Sequence, residues 1–197
     1  MLIILAACAA YHNSFSGPFV FDDIPAIVDN PSIRHLWPIT RVMRPPLLSA
    51  GANGRPLVNL SLAVNYALGG TSVTGYHIVN LLLHVVVALT LFSLVLRTLQ
   101  LPSLKEGKAR PMALSIALLW AVHPLLTESV TAVIQRNELI AGLFYLLTLY
   151  GVVRSRDSVR KAFWYGWAIV ACLLGMASKE VMATAPIMVW LYDRAFI

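Results

Sequence analysis

Two adjacent carboxylates stand directly after the first apolar stretch of the chain, in the segment Phe19-Val20-Phe21-Asp22-Asp23. Acidic side chains where a chain leaves a membrane are costly to bury, and they often serve a function. A carboxylate in a partly dry site can act as a general base toward a hydroxyl group. The alternative is a solvated turn, because an acidic residue before Ile24-Pro25 is ordinary loop composition.

Charged residues also flank later apolar runs: Arg136 and Glu138 precede one run, and Lys179 and Glu180 follow another. A phosphate group needs positive charge nearby, and arginine can hold it with a fork of donors. Arg136 and Lys179 are therefore candidates for phosphate binding. The alternative is a local ion pair at the end of a span, between Arg136 and Glu138 or between Lys179 and Glu180.

Composition places these residues in a membrane protein. The 197 residues are 58% hydrophobic and only 12% charged, with a mean hydropathy of +0.74. A soluble domain of this size could not bury so much apolar surface. The net charge of +6 comes from cations in short loops between apolar runs, so we expect no nucleic-acid partner.

The pattern predicts an all-α, polytopic membrane protein with about six transmembrane helices. The first run is short for a span of ~20 residues, so it is either tilted or preceded by a missing segment. Pro186 predicts a kink in the sixth run. The runs are 1–16, 76–96, a run from about 111 past 120 that ends at His123-Pro124, 139–153, 162–177 and 181–192.

A long, mostly polar loop over residues 17–75 follows the first run. Within it, residues 56–68 predict a helix that lies in the membrane interface plane, with packing on the loop's own core as the alternative. Asn59 and Asn65 lie off its apolar face. That face comprises Leu57, Leu60, Val64 and Leu68.

Three polar residues, His77, Asn80 and His84, share one face of the clearest span. Lipid cannot satisfy an imidazole or an amide, so this face should point into the helix bundle and form interhelical hydrogen bonds. Two histidines two turns apart, without a third ligand nearby, are a weak metal signal. The sequence predicts no metal site here.

Basic residues are concentrated in the short loops 97–110 and 154–161. With six spans, both loops lie on one side of the membrane, and the positive-inside rule makes that side cytoplasmic. The candidate site residues then share the opposite, outer side. They are Asp22, Asp23, Glu128, Arg136, Lys179 and Glu180.

Several motifs in a fixed order resemble one group of membrane glycosyltransferases. The group is the transmembrane and tetratricopeptide-repeat O-mannosyltransferases with their bacterial relatives, within the GT-C superfamily of polyprenyl-phosphate-sugar-dependent transferases. The motifs are Phe19-Val20-Phe21-Asp22-Asp23-Ile24, Gly54-Arg55-Pro56-Leu57, Tyr76-His77-Ile78-Val79-Asn80, His123-Pro124, Glu128-Ser129-Val130, Arg136-Asn137-Glu138-Leu139 and Ser178-Lys179-Glu180.

The resemblance implies transfer of a sugar, a hexose such as mannose, from a polyprenyl-phosphate donor to a hydroxyl acceptor such as protein Ser or Thr, with inversion. It implies that Asp22 and Asp23 supply the base, with Asp22 slightly favoured, and that Arg136 and Lys179 lie near the donor phosphate. The substrate-binding candidates are His123, Glu128, Glu138 and Glu180. Glu128 would hold a hydroxyl group or only cap a helix beginning near Thr127.

The expected location is the bacterial inner membrane or the endoplasmic reticulum. A requirement for Mg²⁺ or Mn²⁺ stays open, because acidic pairs can hold either ion. Proteins of this group usually have more spans and tetratricopeptide repeats, whereas no helical repeat of ~34 residues is found here. We therefore expect residues 1–197 to be a fragment, a GT-C-like module with 17–75 as its first extracytoplasmic loop.

Two other functions fit the pattern. A transporter or flippase for a lipid-linked sugar would use the polar face of His77, Asn80 and His84 as a pathway. A non-catalytic scaffold subunit would bind partners without using either aspartate.

Overall fold

The computed structural model describes residues 1–49, 51–102, 104 and 107–196, and these residues form helices and turns without a β-strand. The all-α prediction is confirmed. The α-helices are α1 (Leu2–Tyr11), α2 (Ile39–Val42), α3 (Pro56–Gly69), α4 (Val73–Leu99), α5 (Ala109–Ala121), α6 (Thr127–Thr131), α7 (Arg136–Asp157), α8 (Lys161–Met176) and α9 (Ala185–Phe196). A π-helical turn spans Ile24–Val28, and short 3₁₀ turns include Val133–Gln135 and Glu180–Thr184.

Two of the described helices are long and apolar enough to cross a membrane: Val73–Leu99 and Val133–Asp157. At about 1.5 Å per residue, each exceeds the ~30 Å hydrocarbon core of a bilayer. The helix α5 and the bent segment Pro124–Thr131, which meet at 53°, would make a third span if they count as one. Two shorter apolar helices, Leu2–Ser16 and Lys161–Met176, accompany them.

The helices α4, α5, α7 and α8 run in alternating directions along the chain, so α4 and α7 are parallel. The two ends of the bundle therefore contain different segments. At one end, named here the basic end, α4 and α7 finish and Arg97 contacts Tyr150. At the other, the loop end, α4 and α7 begin and His77 forms a hydrogen bond of 3.0 Å with the carbonyl of Gly17. Loops 97–110 and 154–161 thus lie at the same end, as expected, although Lys105 and Glu106 are outside the described residues.

The polar face of α4 is buried, as predicted. His77, Asn80 and His84 are each at most 2% exposed. The His84 ring stacks on Trp120 at a centroid distance of 5.1 Å, and its Nε2 forms a hydrogen bond of 2.8 Å with the carbonyl of Ala121. These contacts join α4 to α5, which is the interhelical bonding expected of polar side chains in a lipid-facing bundle.

The helix α3 forms over the predicted residues, and its predicted apolar face divides: Leu57 and Leu60 pack against a hydrophobic core, whereas Val64 and Leu68 point outward. Leu68 is 82% exposed and Val64 is 44% exposed, whereas Asn59 and Asn65 are buried. Burial of the amides is possible because they are satisfied: Asn59 accepts a hydrogen bond from Asn30 at 2.9 Å and donates to Ser32 at 2.9 Å. The helix therefore packs on the loop's core through Val58, Leu62 and Ala63 together with its amides, and it exposes Val64 and Leu68.

The sixth apolar run differs from its predicted form. Residues Glu180–Thr184 form a 3₁₀ turn, and the helix α9 begins only at Ala185. Pro186 thus lies in the first turn of α9, where its missing N–H has no intrahelical partner to lose. The predicted kink is wrong for this reason, and the proline starts the helix.

Candidate active site

The two adjacent aspartates lie in different environments. Phe21 adopts a positive φ of +46°, which is unusual for a residue other than glycine. This turn leaves Asp22 exposed, whereas Asp23 is only 1% exposed. Strained backbone of this kind often occurs at functional sites. The chain thus separates the two carboxylates, placing one on the surface and one in the interior.

Both carboxylate oxygens of Asp23 accept hydrogen bonds from the backbone. Oδ1 accepts from the N–H of Ile134 at 2.7 Å, and Oδ2 accepts from the N–H of Val20 at 3.2 Å. Ile134 belongs to the 3₁₀ turn that leads into α7. Asp23 therefore attaches the first loop to the start of α7, with one backbone hydrogen bond on each carboxylate oxygen. Asp22 forms no side-chain hydrogen bond or ion pair within the described part of the chain and stays accessible.

Arg136, the first residue of α7, is fully buried. Its Nε donates to Oδ1 of Asn80 at 2.8 Å, and one Nη donates to Oδ1 of Asn65 at 2.9 Å and to the carbonyl of Tyr76 at 3.0 Å. The other Nη donates to the carbonyl of Ser61 at 3.3 Å. One guanidinium thereby joins α3, α4 and α7, using the planar fork that lysine lacks.

This geometry does not support the expected contact of Arg136 with a donor phosphate. Its guanidinium is 0% exposed and already engaged by neutral oxygens of two neighbouring helices. The negative charge that acts on it is that of Asp23. Arg136 consequently holds the loop end together, and the candidates for phosphate binding must be cations nearer the surface.

Lys179 and Glu138 form an ion pair between the segment after α8 and the first turn of α7. Arg55 and Glu180 form a second pair at 3.4 Å. The alternative of local pairs, Arg136 with Glu138 or Lys179 with Glu180, is therefore wrong. Each acid finds its partner on another element, because the chain brings the start of α3 against the end of α8, where the N–H of Leu57 donates to the carbonyl of Ala177 at 3.1 Å.

The two cations of these pairs are only partly covered. The Arg55 side chain is 19% exposed and that of Lys179 is 25% exposed. Arg55 also donates to the carbonyl of Gly51 at 3.0 Å, while its buried Nε has no partner within the described structure. On Glu180, a hydrogen bond from its own backbone N–H and then the charge of Arg55 lower the pKa of the carboxyl.

Gly51 and Ile134 connect these ion pairs to Asp23. The backbone of Gly51 lies so close to Ile134 that a Cβ there would stand 2.3 Å from Cγ1 of the isoleucine. Because Asp23 binds the N–H of Ile134 and Arg55 binds the carbonyl of Gly51, Asp23, Arg55 and the start of α7 form one connected region.

His123 and Glu128 lie at the loop end but outside this connected set. His123 is exposed, and its Nδ1 accepts from the N–H of Leu125 at 3.3 Å, which caps a 3₁₀ turn. Glu128 is exposed in the first turn of α6 and accepts from Nε2 of Gln135 at 3.1 Å. Neither side chain contacts the Asp23, Arg136 or Lys179 groups through a described hydrogen bond.

The two aspartates do not fit a Mg²⁺ or Mn²⁺ site. One carboxylate is exposed, and the other is occupied by two backbone N–H groups. Within the described ranges, no three His, Cys, Asp or Glu side chains converge as metal ligands.

Three contributors to this region were not singled out from the sequence. Asn65 was noted only as lying off an apolar face, Gly51 gave no signal, and Arg55 was noted only within a motif. The available signal was the pair of asparagines on an otherwise apolar α3, since amides in such a helix require partners. The sequence does not show which cation donates hydrogen bonds to these asparagines.

Comparison with known proteins identifies relatives of the chain. It is 35% identical to the protein O-mannosyl-transferase Tmtc1 of Drosophila melanogaster, over 96% of the chain and 22% of that protein. It is 34% identical to the protein O-mannosyl-transferase TMTC4 of Homo sapiens, over 88% of the chain and 26% of that protein. A third relative, the protein O-mannosyl-transferase F38B6.6 of Caenorhabditis elegans, is 28% identical over 95% of the chain and 27% of its own length.

The chain thus spans 22–27% of the length of these relatives. No family model matches it, and no solved structure matches it. The resemblance to O-mannosyltransferases drawn from the motifs is confirmed, and the chain is homologous to a segment of these proteins.

Proposed function

We propose that this chain, as a homologue of part of the protein O-mannosyl-transferases, forms the membrane module of a glycosyltransferase. It transfers a hexose such as mannose from a polyprenyl-phosphate donor to a hydroxyl of a protein Ser or Thr, with inversion. The observation that carries the proposal is the separation of the acidic pair, since an exposed Asp22 stands beside an anchored Asp23. An accessible carboxylate held by a rigid neighbour suits a general base.

The proposed reaction assigns one role to each group. Asp22 removes the proton of the acceptor hydroxyl as its oxygen attacks the anomeric carbon from the face opposite the phosphate. The bond from that carbon to the phosphate oxygen breaks, and the leaving lipid phosphate takes the electron pair. Lys179 and Arg55, the partly exposed cations at the loop end, stabilise the developing negative charge. Glu138 and Glu180 position these cations through the ion pairs.

The proposed topology has six spans, with residues 17–75 and the loop end outside the cytoplasm. Support comes from the basic end, where Arg97, Arg154 and Arg160 meet the positive-inside rule. The exposed Val64 and Leu68 of α3 support a position of this helix in the membrane interface. Bacterial inner membrane and endoplasmic reticulum both suit this topology.

The test is sugar transfer by the intact membrane protein with and without Asp22→Asn. The amide cannot accept the proton, so we expect a loss of kcat by a factor of about 10² to 10⁴ with normal expression and thermal stability. Asp29→Asn is the matched control, because Asp29 is a second exposed acid of the same loop. Full activity in Asp22→Asn would remove Asp22 from the mechanism.

The role of the cations is tested separately with Lys179→Met. Loss of the charge should raise KM for the lipid-phosphate donor and leave KM for the acceptor unchanged. Breaking a partly exposed ion pair should cost only about 0.2–1 kcal/mol of stability. An unchanged donor KM would contradict the assignment.

A further inference from the structure

Two arginines at the basic end lie against aromatic rings in a continuous row. Nε of Arg97 donates to the hydroxyl of Tyr150 at 3.3 Å, and its Cζ lies 5.6 Å from the centroid of that ring. Cζ of Arg154 lies 5.5 Å from the ring centroid of Trp164. The rings of Tyr150 and Trp164 meet edge to face at 6.0 Å. The row crosses α4, α7 and α8 at the level where these helices meet the basic loops.

Neither arginine of this row forms an ion pair within the described ranges. Asp193, the acid on the neighbouring α9, is already paired with Arg156. A guanidinium that stacks on a ring keeps N–H donors at its edge, and these suit the oxygens of a phosphate. The row therefore combines two positive charges with unused hydrogen-bond donors, and both arginines are partly exposed.

Two apolar grooves begin at the same row. A cavity of about 270 Å³ lies between α4 and α7. A second cavity of about 180 Å³ lies between α7 and α8. Both are lined by Leu147 and Tyr150, so they run on either side of the same part of α7. Val86, Leu89, Thr90 and Ser93 complete the first groove, and Phe163, Trp164 and Trp167 complete the second.

We propose that this end of the bundle binds one molecule of an anionic diacyl phospholipid. Arg97 and Arg154 bind the phosphate of the headgroup, and the two grooves take its two acyl chains. Charge complementarity and the pairing of two grooves with one cationic row favour this occupant over a single-chain lipid. The exposed cations Arg160 and Lys161 add to the local positive potential, which attracts anionic lipid from the surrounding leaflet.

The site is distinct from the proposed active site, which lies at the loop end. A failure of the lipid-binding proposal can therefore be distinguished from a failure of the proposed function, because the Asp22→Asn variant should bind the lipid normally. Conversely, loss of lipid binding would not remove a carboxylate from the reaction.

The test measures binding of phosphatidylglycerol and of phosphatidylcholine to the intact protein by native mass spectrometry from detergent. We expect the wild-type protein to retain phosphatidylglycerol preferentially. The double variant Arg97→Gln with Arg154→Gln should weaken phosphatidylglycerol binding by at least about tenfold, because it removes the two charges that attract the anionic headgroup. Arg41→Gln with Arg44→Gln is the control, with the same change of charge on two exposed arginines at the loop end.

A second variant tests the grooves without touching the arginines. Leu147→Trp places a large side chain where both grooves meet, so binding of the diacyl lipid should fall while the two charges remain. Equal loss in the loop-end control would overturn the proposal in favour of diffuse charge attraction. Equal binding of phosphatidylcholine, or inorganic phosphate displacing the lipid completely at millimolar concentration, would overturn it as well.

Discussion

Asp23 Oδ1 accepts a hydrogen bond of 2.7 Å from the backbone N–H of Ile134, 111 residues further along the chain. This bond attaches the first loop to the start of a membrane-length helix. It also gives the two aspartates different surroundings, because Asp23 is buried and bonded to the backbone whereas Asp22 is exposed.

Asp23→Asn is expected to destabilise the protein. The amide can still accept from the N–H of Ile134, but its NH₂ group then faces the N–H of Val20, and the charge beside Arg136 is lost. A hydrogen bond to a charged group contributes about 1.5–3 kcal/mol, so the midpoint of thermal unfolding in detergent should fall clearly. A midpoint as high as that of Asp22→Asn would contradict the assignment of Asp23 as the anchor.

Arg136→Lys should also destabilise the protein although it preserves the charge. One ammonium cannot reach Asn80, Asn65 and the carbonyl of Tyr76 together, so at least two buried acceptors lose their donor. At about 1–3 kcal/mol for each unsatisfied group, the loss should exceed about 2 kcal/mol. If Arg136 instead bound a phosphate, lysine would preserve stability and mainly change the KM for the donor, and thermal unfolding combined with kinetics distinguishes the two results.

Gly51→Ala should disturb the loop end more than Gly54→Ala. Both glycines have positive φ, +71° and +70°, so either alanine carries a similar backbone cost of about 1–2 kcal/mol. Only at Gly51 does the new Cβ also collide with Ile134, whereas at Gly54 nothing lies within 4 Å. The difference in unfolding temperature between the two variants therefore measures the cost of the collision with Ile134. Equal unfolding temperatures would show that the Ile134 side chain moves aside without cost.

The contribution of Glu180 to stability should depend on pH in one direction. Its pKa is lowered in the folded protein, so the ionised carboxylate favours the folded state at neutral pH. The contribution is present above the ordinary glutamate pKa of about 4.3 and is lost as the pH falls through the lower, folded value. The difference in unfolding temperature between wild type and Glu180→Gln should therefore shrink toward acid pH. A difference that grows on acidification would contradict this sign.

The inward face of α4 could be predicted from the sequence because it depends only on the spacing of residues within one helix. His77, Asn80 and His84 recur at helical spacing in an apolar run, and lipid cannot satisfy them, so only an interior position remains. The acidic pair was also located correctly in the first loop. Its division into an exposed and a buried member could not be predicted, because it depends on the backbone turn at Phe21 and on a partner 111 residues away.

The role of Arg136 shows what charge alone does not determine. A cation that precedes an apolar run looks the same in the sequence whether it binds a phosphate or a set of buried carbonyl groups. The structure decides, because α3 and α4 bring Asn65 and Asn80 to the same guanidinium. Likewise, Glu138 and Glu180 have cations close by in sequence, but their actual partners come from other elements: Lys179, after α8, pairs with Glu138 of α7, and Arg55, before α3, pairs with Glu180.

The packing of α3 also departs from the usual pattern of mutational tolerance, because Asn59 and Asn65 are buried beside the aliphatic core residues Val58 and Leu62. On a helix of a water-soluble protein the aliphatic positions resist exchange, while amides on the opposite side vary freely. Here Val64 and Leu68 should accept most other aliphatic side chains, whereas Asn59 must both donate to Ser32 and accept from Asn30, which aspartate cannot do. A saturation library of this segment would therefore show selection at Asn59 as strict as at the buried Val58 and Leu62.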